Sequence, residues 1–250
     1  MTLLSTRGLT KRFGGLLASD ALDFEALPGE VHAVIGPNGA GKTTLVNQLI
    51  GELAPDAGVI EFEGRDITRL PSWRRALLGL SRSYQITSIF PEFTALENVA
   101  LAAQAHRGHS FGAWRPARQE EALTRPALQS LEEVGLAERQ GALAAQLAHG
   151  ERRQLEIAMA LVSRPKLLLL DEPMAGMGRH ESERLVKLLD QLKGRYTMVL
   201  VEHDMDAVFT LADRISVLVY GRCIASGAPQ EIRASVEVRK AYLGERYAAH

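Results

Sequence analysis

The strongest constraint on this chain lies in residues Val31 to Thr44, VHAVIGPNGAGKTT, an apolar run that empties into a glycine-rich loop carrying a lysine and two threonines. Gly36, Gly41, Lys42 and Thr43 fit the pattern G-x-x-x-x-G-K-[ST], with Pro37, Asn38, Gly39 and Ala40 between the glycines. Glycines let the backbone turn its N–H groups inward around phosphate oxygens. A helix that begins at Lys42 and continues through Thr44, Leu45, Leu49 and Ile50 adds the positive end of its dipole. In this setting Lys42 reaches the β- and γ-phosphates of a nucleoside triphosphate, and the Thr43 hydroxyl ligates Mg²⁺. A strand, this loop and a helix in succession also require an α/β fold with the loop at a carboxyl edge of the sheet.

Composition narrows the class further. With 250 residues the chain can bury one α/β core with an inserted subdomain. The 29 Lys+Arg residues against 30 Asp+Glu give no global basic field toward nucleic acid or an anionic membrane. A single cysteine, Cys223, excludes an internal disulfide framework and a cysteine-based zinc cluster. The opening MTLLSTRGLTKRF lacks the apolar core of a signal peptide, and no apolar run approaches the roughly eighteen residues of a membrane span. A soluble, cytoplasmic chain is the expectation.

In chain order, Leu3–Arg12 and Leu16–Leu27 read as antiparallel strands about a Phe13-Gly14-Gly15 turn, followed by a short strand at Gly58–Glu63. Phe13 at that turn is placed either to stack on a flat base or to plug the sheet. A helix over Pro71–Leu78 leads into a strand, Leu80–Tyr84, that ends in Gln85. From Thr94 the pattern turns helical, with Thr94 and Glu97 spaced as a capping box, a loop-like stretch over Arg107–Pro116 and a helix over Arg118–Val134. A helix over Glu151–Ser163, a buried strand Lys166–Glu172, a helix Arg179–Leu192, a strand Thr197–Val201, a short helix from Asp204 or Met205, a hairpin about Tyr220-Gly221-Arg222 and two short helices complete the chain. The predicted fold is a mixed sheet with helices on both faces, an N-terminal antiparallel β subdomain and an inserted all-helical subdomain. Residues 1–85 and 160–250 form the nucleotide-binding core, and 86–159 the helical subdomain.

Three strand ends supply chemistry. The leucine run KLLLLDE terminates in Asp171-Glu172, which the carboxyl-edge rule places against the phosphates; Asp171 would hold the Mg²⁺ shell and Glu172 would polarise an attacking water. His203, after the strand ending at Val201, can donate to a γ-phosphate. Gln85 can sense Mg²⁺ or the water without competing for charge.

The order of these features is that of the ATP-binding-cassette ATPases. From Leu3 to about Gly227 the sequence resembles that family: phosphate loop, strand-terminal Gln85, helical insertion, Leu147-Ala148-His149-Gly150-Glu151 at a helix start, KLLLLDEP and VEHD. The resemblance implies that Phe13 stacks on adenine, Gln85 is the glutamine of the lid loop, Leu147 to Glu151 is the signature motif, and His203 is the switch histidine. It also implies head-to-tail dimerisation with a second cassette subunit, identical or paralogous, in which each signature motif completes the other subunit's phosphate site. The common signature is LSGGQ; here Ala148 lacks the hydroxyl and His149 replaces a glycine. The loop Ala175-Gly176-Met177-Gly178 ends without the family's aspartate. These departures, with KRFGG and the tail Val238-Arg239-Lys240-Ala241-Tyr242-Leu243-Gly244, resemble the subgroup serving importers of branched-chain amino acids and of urea or amides.

The implied function is ATP binding and hydrolysis with Mg²⁺, coupled to integral membrane permease subunits on the inner face of the plasma membrane and indirectly to a periplasmic solute-binding protein. By the same resemblance Ile86–Val99 docks on the permease, with Phe90 and Phe93 either as anchors or as core. A soluble cassette acting on ribosomes or DNA is the alternative. Its usual second cassette or basic extension is not seen in this sequence, so no nucleic-acid partner is expected.

Overall fold

The structure is a computed structural model that describes residues 2–83, 89–107 and 121–243. Gln85 and most of the Arg107–Pro116 loop lie outside the described residues.

A six-stranded sheet carries the molecule, in the order β10(Arg222–Gly227), β9(Arg214–Val219), β3(Val31–Ile35), β8(Thr197–Val201), β7(Leu167–Asp171), β6(Leu80–Ser83). All neighbours run parallel except the β9–β10 hairpin. β3, β7 and β8 are buried at every residue, which is why they read as continuous apolar runs. Their side chains alternate between two cores. Leu167, Leu169, Val199 and Val201 face one cluster, with Leu45, Val46 and Leu49 of helix α1(Lys42–Ile50). Leu168, Leu170, Met198 and Leu200 face the other. At about 1.5–3 kcal/mol for each fully buried leucine or valine, these central strands anchor the fold.

The second sheet, β2(Leu16–Ala26), β1(Leu4–Phe13), β4(Ala57–Phe62), β5(Arg65–Asp66), is antiparallel and shares the α1 core through Leu4, Leu9, Leu22 and Ile60. The sequence reading finds all but the two-residue β5. Helix α2(Ser72–Leu78) joins the sheets, and its Arg75 is fully buried. That guanidinium donates to the carbonyls of Gln48 and Leu49 at 2.7 Å each, so it closes the carboxyl end of α1 with positive charge. Burial lowers the Arg75 pKa to about 10.

The helical layer comprises α3(Ala95–Arg107), α4(Glu121–Glu133) and α5(His149–Leu161), whose apolar faces merge with the sheet core through Leu155, Ala158, Leu161 and Leu168. The expected capping box is present: Glu97 accepts the Thr94 N–H at 2.8 Å, and Thr94 Oγ1 accepts the Glu97 N–H at 3.2 Å. α5 begins two residues before the expected Glu151, because Glu151 turns back to accept the Ala148 N–H at 2.9 Å. Helices α6(Arg179–Leu192), α7(Met205–Leu211), α8(Pro229–Ala234) and α9(Val236–Val238) follow, and a π-helical turn over Arg239–Leu243 ends the described chain. Among the described residues no helix is long and apolar enough to cross a membrane.

Candidate functional site

The loop between β3 and α1 is wedged into place by backbone. At Gly36, with φ +154°, a Cβ would lie 2.1 Å from the Leu218 carbonyl; at Gly41, with φ +101°, one would lie 2.3 Å from the Ala18 carbonyl. Only glycine fits either position. The Gly221 N–H donates to Ala40 O at 2.9 Å and ties the β9–β10 turn to the loop. Asn38 and Gly39 are exposed at its crest, and Pro37 is partly covered. No side chain caps the start of α1, so its first-turn amides, including those of Thr43 and Thr44, remain oriented as anion donors.

Lys42 lies folded over this loop, its Nζ donating to Gly36 O at 2.7 Å and Pro37 O at 3.1 Å. Burial lowers its pKa, while the nearby Glu172 and Asp171 carboxylates oppose that shift. The sheet order explains their closeness. β8 stands between β3 and β7, so the phosphate loop, His203 and the Asp171-Glu172 pair leave adjacent strands at one edge. His203 Nδ1 is 4.0 Å from Glu172 Oε1. Glu172 occupies the left-handed region at φ 49°, held by its N–H to Val201 O at 2.8 Å. Such a backbone is costly for a residue with a Cβ, and here it leaves a partly exposed carboxylate close enough to act on the Lys42 charge.

Two residues without an assigned role in the sequence reading complete the edge. Arg82 on β6 donates to Asp171 Oδ2 at 2.8 Å and to Asn47 Oδ1 of α1 at 2.8 Å, and pairs with Glu52 at 2.9 Å. Asp171 is thereby oriented toward α1, and an arginine in a strand beside an acidic strand end was the available signal. The buried Glu202 Oε1 accepts the Met174 N–H at 2.8 Å, and its Oε2 accepts the His203 N–H at 2.9 Å. It locks the turns after β7 and β8 together. A carboxylate directly after the apolar run Met198–Val201 was its sequence signal.

Phe13 is 48% exposed at the tip of the β1–β2 hairpin, whose β2 arm reaches the phosphate loop at Ala18. Its ring lies outside the sheet core. Phe90 and Phe93 are likewise exposed and stack on each other with centroids 5.3 Å apart.

The segment Leu147 to Glu151 is elsewhere. Leu147 is buried in the helical core, Ala148 caps α5, and His149, Gly150 and Glu151 form the helix's first turn. Arg139 pairs with Glu151 at 3.1 Å. Gly150 N–H donates to Glu181 Oε1 of α6 at 3.3 Å. Among the described residues no hydrogen bond joins this segment to the phosphate loop of the same chain.

A glycine loop opening an uncapped helix, a lysine over it and a carboxylate pair at the end of the next strand but one in the sheet define a nucleoside-triphosphate-binding cassette. Comparison with known proteins gives the particular lineage. The ABC transporter family model matches residues 19–175, and the model of the branched-chain amino acid ATP-binding cassette transporter matches residues 222–248. The chain is 41% identical over 250 residues to the high-affinity branched-chain amino acid transport ATP-binding protein BraF of Pseudomonas aeruginosa, covering 97% of this chain and 98% of that protein. It is 42% identical over 252 residues to LivG of Salmonella typhimurium, with the same coverage. A solved ATP-binding cassette of an ABC transporter in its ADP conformation superposes with a TM-score of 0.88 at 30% identity, covering 98% of this chain and 99% of that one. A nucleotide-free cassette superposes with a TM-score of 0.87 at 29% identity, covering 98% and 100%. The chain belongs to the ABC transporter family.

Proposed function

We propose that this protein is the ATP-hydrolysing subunit of an importer for branched-chain or related amino acids, acting on a separate permease through ATP-dependent pairing with a second cassette. The observation that carries the catalytic half is the meeting of Lys42, Asp171, Glu172 and His203 at one sheet edge. The solute rests on the BraF and LivG relatives.

In this reading ATP enters with its phosphates over α1. Lys42 exchanges its bonds to the Gly36 and Pro37 carbonyls for phosphate oxygens, and the first-turn amides complete the cradle. Phe13 covers the base. Glu172 accepts a proton from water aligned on the γ-phosphate, and His203, braced through Glu202, donates to that phosphate. The donor set fits Mg²⁺: a threonine hydroxyl and a carboxylate oxygen are hard ligands, and two suffice for an ion that retains water and phosphate oxygens. Thr43 and Asp171, with Gln85, would hold it, and when bound it supplies charge neutralisation on the phosphates. Leu147, Ala148, His149, Gly150 and Glu151 serve the other subunit's nucleotide. Residues 1–85 and 160–250 act as the nucleotide-binding body and 86–159 as the helical arm that meets the permease at Phe90 and Phe93, on the cytoplasmic face of the membrane.

Purification from detergent-solubilised membranes tests this. The reading expects a hydrophobic permease to accompany the chain and branched-chain amino acid uptake, in vesicles with the periplasmic binding protein, to require ATP. Co-sedimentation with ribosomes or DNA instead would support the alternative cassette role.

A further inference from the structure

The signature turn is already occupied by a carboxylate of its own chain. Glu181, in the first turn of α6, accepts the Gly150 N–H through Oε1 and the Gly178 N–H through Oε2, both at 3.3 Å. One side chain therefore ties the loop that follows Glu172 to the start of α5. Glu181 packs directly on Gly150: a Cβ there would lie in van der Waals contact with the carboxylate, 3.4 Å from Oε1 and 3.6 Å from Cδ. Ala148 offers no hydroxyl that could hold the turn in its place.

We propose that Glu181 is a positioning residue that sets the ATP requirement for subunit closure, by holding its carboxylate on the amide that the opposite subunit's γ-phosphate must take. This rests on the reading that the signature turn covers a partner-bound nucleotide. A single N–H cannot serve a carboxylate and a phosphate together, and two anions a few ångströms apart repel, so closure requires Glu181 to leave Gly150. The structure offers it a destination: a cleft of about 210 Å³ beside the turn is lined by Gln154, Met177 and Arg184 as well as Glu181. Arg184 is exposed on α6 and can receive the displaced carboxylate there. Because Glu181 also holds Gly178, its release frees the loop after Glu172 in the same movement. Arrival of the partner's phosphate is thereby linked to the segment that carries the catalytic carboxylate.

The test is ATP titration of hydrolysis by the assembled importer with Glu181→Gln and Glu181→Asp. The first keeps size without charge; the second keeps charge but is one methylene too short for Gly150. Both should lower the half-saturating ATP concentration by about two- to tenfold, the range of a charge acting at a helix terminus. ATP affinity of the isolated subunit, measured by calorimetry, should stay at the parent value in both variants, and Glu181→Gln, which keeps the size of the side chain, should melt like the parent. Half-saturating ATP that is unchanged or raised in a variant melting like the parent overturns the proposal. If one variant fails to fold, the other decides. Gly150→Asp serves as the separate control, because it should abolish closure; hydrolysis undisturbed by it would refute the composite-site reading itself, whatever Glu181 does.

Discussion

The phosphate loop and the signature turn are both helix N-termini, yet they are finished in opposite ways. α1 starts at an uncapped Gly41, its loop fixed by backbone contacts to Ala18 and Leu218, while Arg75 closes its carboxyl end. α5 starts under three contacts from acidic side chains and their partners: Glu151 on Ala148 N–H, Arg139 on Glu151, and Glu181 on Gly150 N–H. The first leaves its helix-start amides without a side-chain cap, in a loop whose backbone contacts admit only glycine. At the second, the Ala148 and Gly150 amides are already held by carboxylates of the same chain. A difference of this kind suits two halves of one site that meet only when nucleotide is present.

Removing the Glu172 charge should separate the halves most strongly. Glu172→Gln keeps the size of the side chain and the strained backbone but not the base, so hydrolysis should fall by roughly 10²–10⁴-fold while calorimetric ATP affinity holds or rises. Hydrolysis at the parent rate would move the base elsewhere.

The next effect concerns the frame rather than the chemistry. His32, the second residue of β3, is buried with Nδ1 on Glu25 O at 2.7 Å and Nε2 on Ser216 Oγ at 2.8 Å, and burial lowers its pKa from 6.5 to about 4. The unfolded chain therefore binds this proton first. Stability from His32 is full above pH 6.5, falls as pH drops from 6.5 toward 4, and amounts to about 3 kcal/mol from the size of the shift. Denaturant melts of the parent and of His32→Gln should show a smaller acid-side loss in the variant.

Phe13→Ala should weaken every nucleotide alike, by about 1–3 kcal/mol, because stacking tolerates base identity. Unaltered affinity would mean that the exposed ring serves something other than nucleotide. The smallest effect should come from Ala148→Ser, which returns a hydroxyl to the signature turn. Turnover of the complex should rise by no more than one hydrogen bond, roughly 0.5–1.5 kcal/mol. A decrease would show that the turn is built around His149.

The same contrast governs what could be read from the sequence. The phosphate-loop half was legible almost entirely, since a glycine pattern, a leucine run ending in Asp171-Glu172 and an apolar strand before His203 are local signals, and β7 and β8 follow the expected strands within a residue. The signature helix was placed as well, but not its start, which depends on Glu151 folding back. What stayed hidden depends on side chains far apart in sequence. Arg82 meets Asp171 across 89 positions, Glu181 meets Gly150 across 31, and Glu202 meets Met174 across 28. No periodicity announces such pairs. They form because strand order brings β6 beside β7 and places α6 against α5.

The claim that two open and closed half-sites join across a dimer is tested most directly by molecular mass. The Glu172→Gln subunit, alone and with its partner cassette, is run by size-exclusion chromatography with light scattering in Mg-free ATP and in ADP. A dimer should form in ATP and separate subunits in ADP, and Gly150→Asp should abolish the ATP dimer while ATP binding at Lys42 persists. A dimer that survives Gly150→Asp, or one that forms equally in ADP, would contradict it.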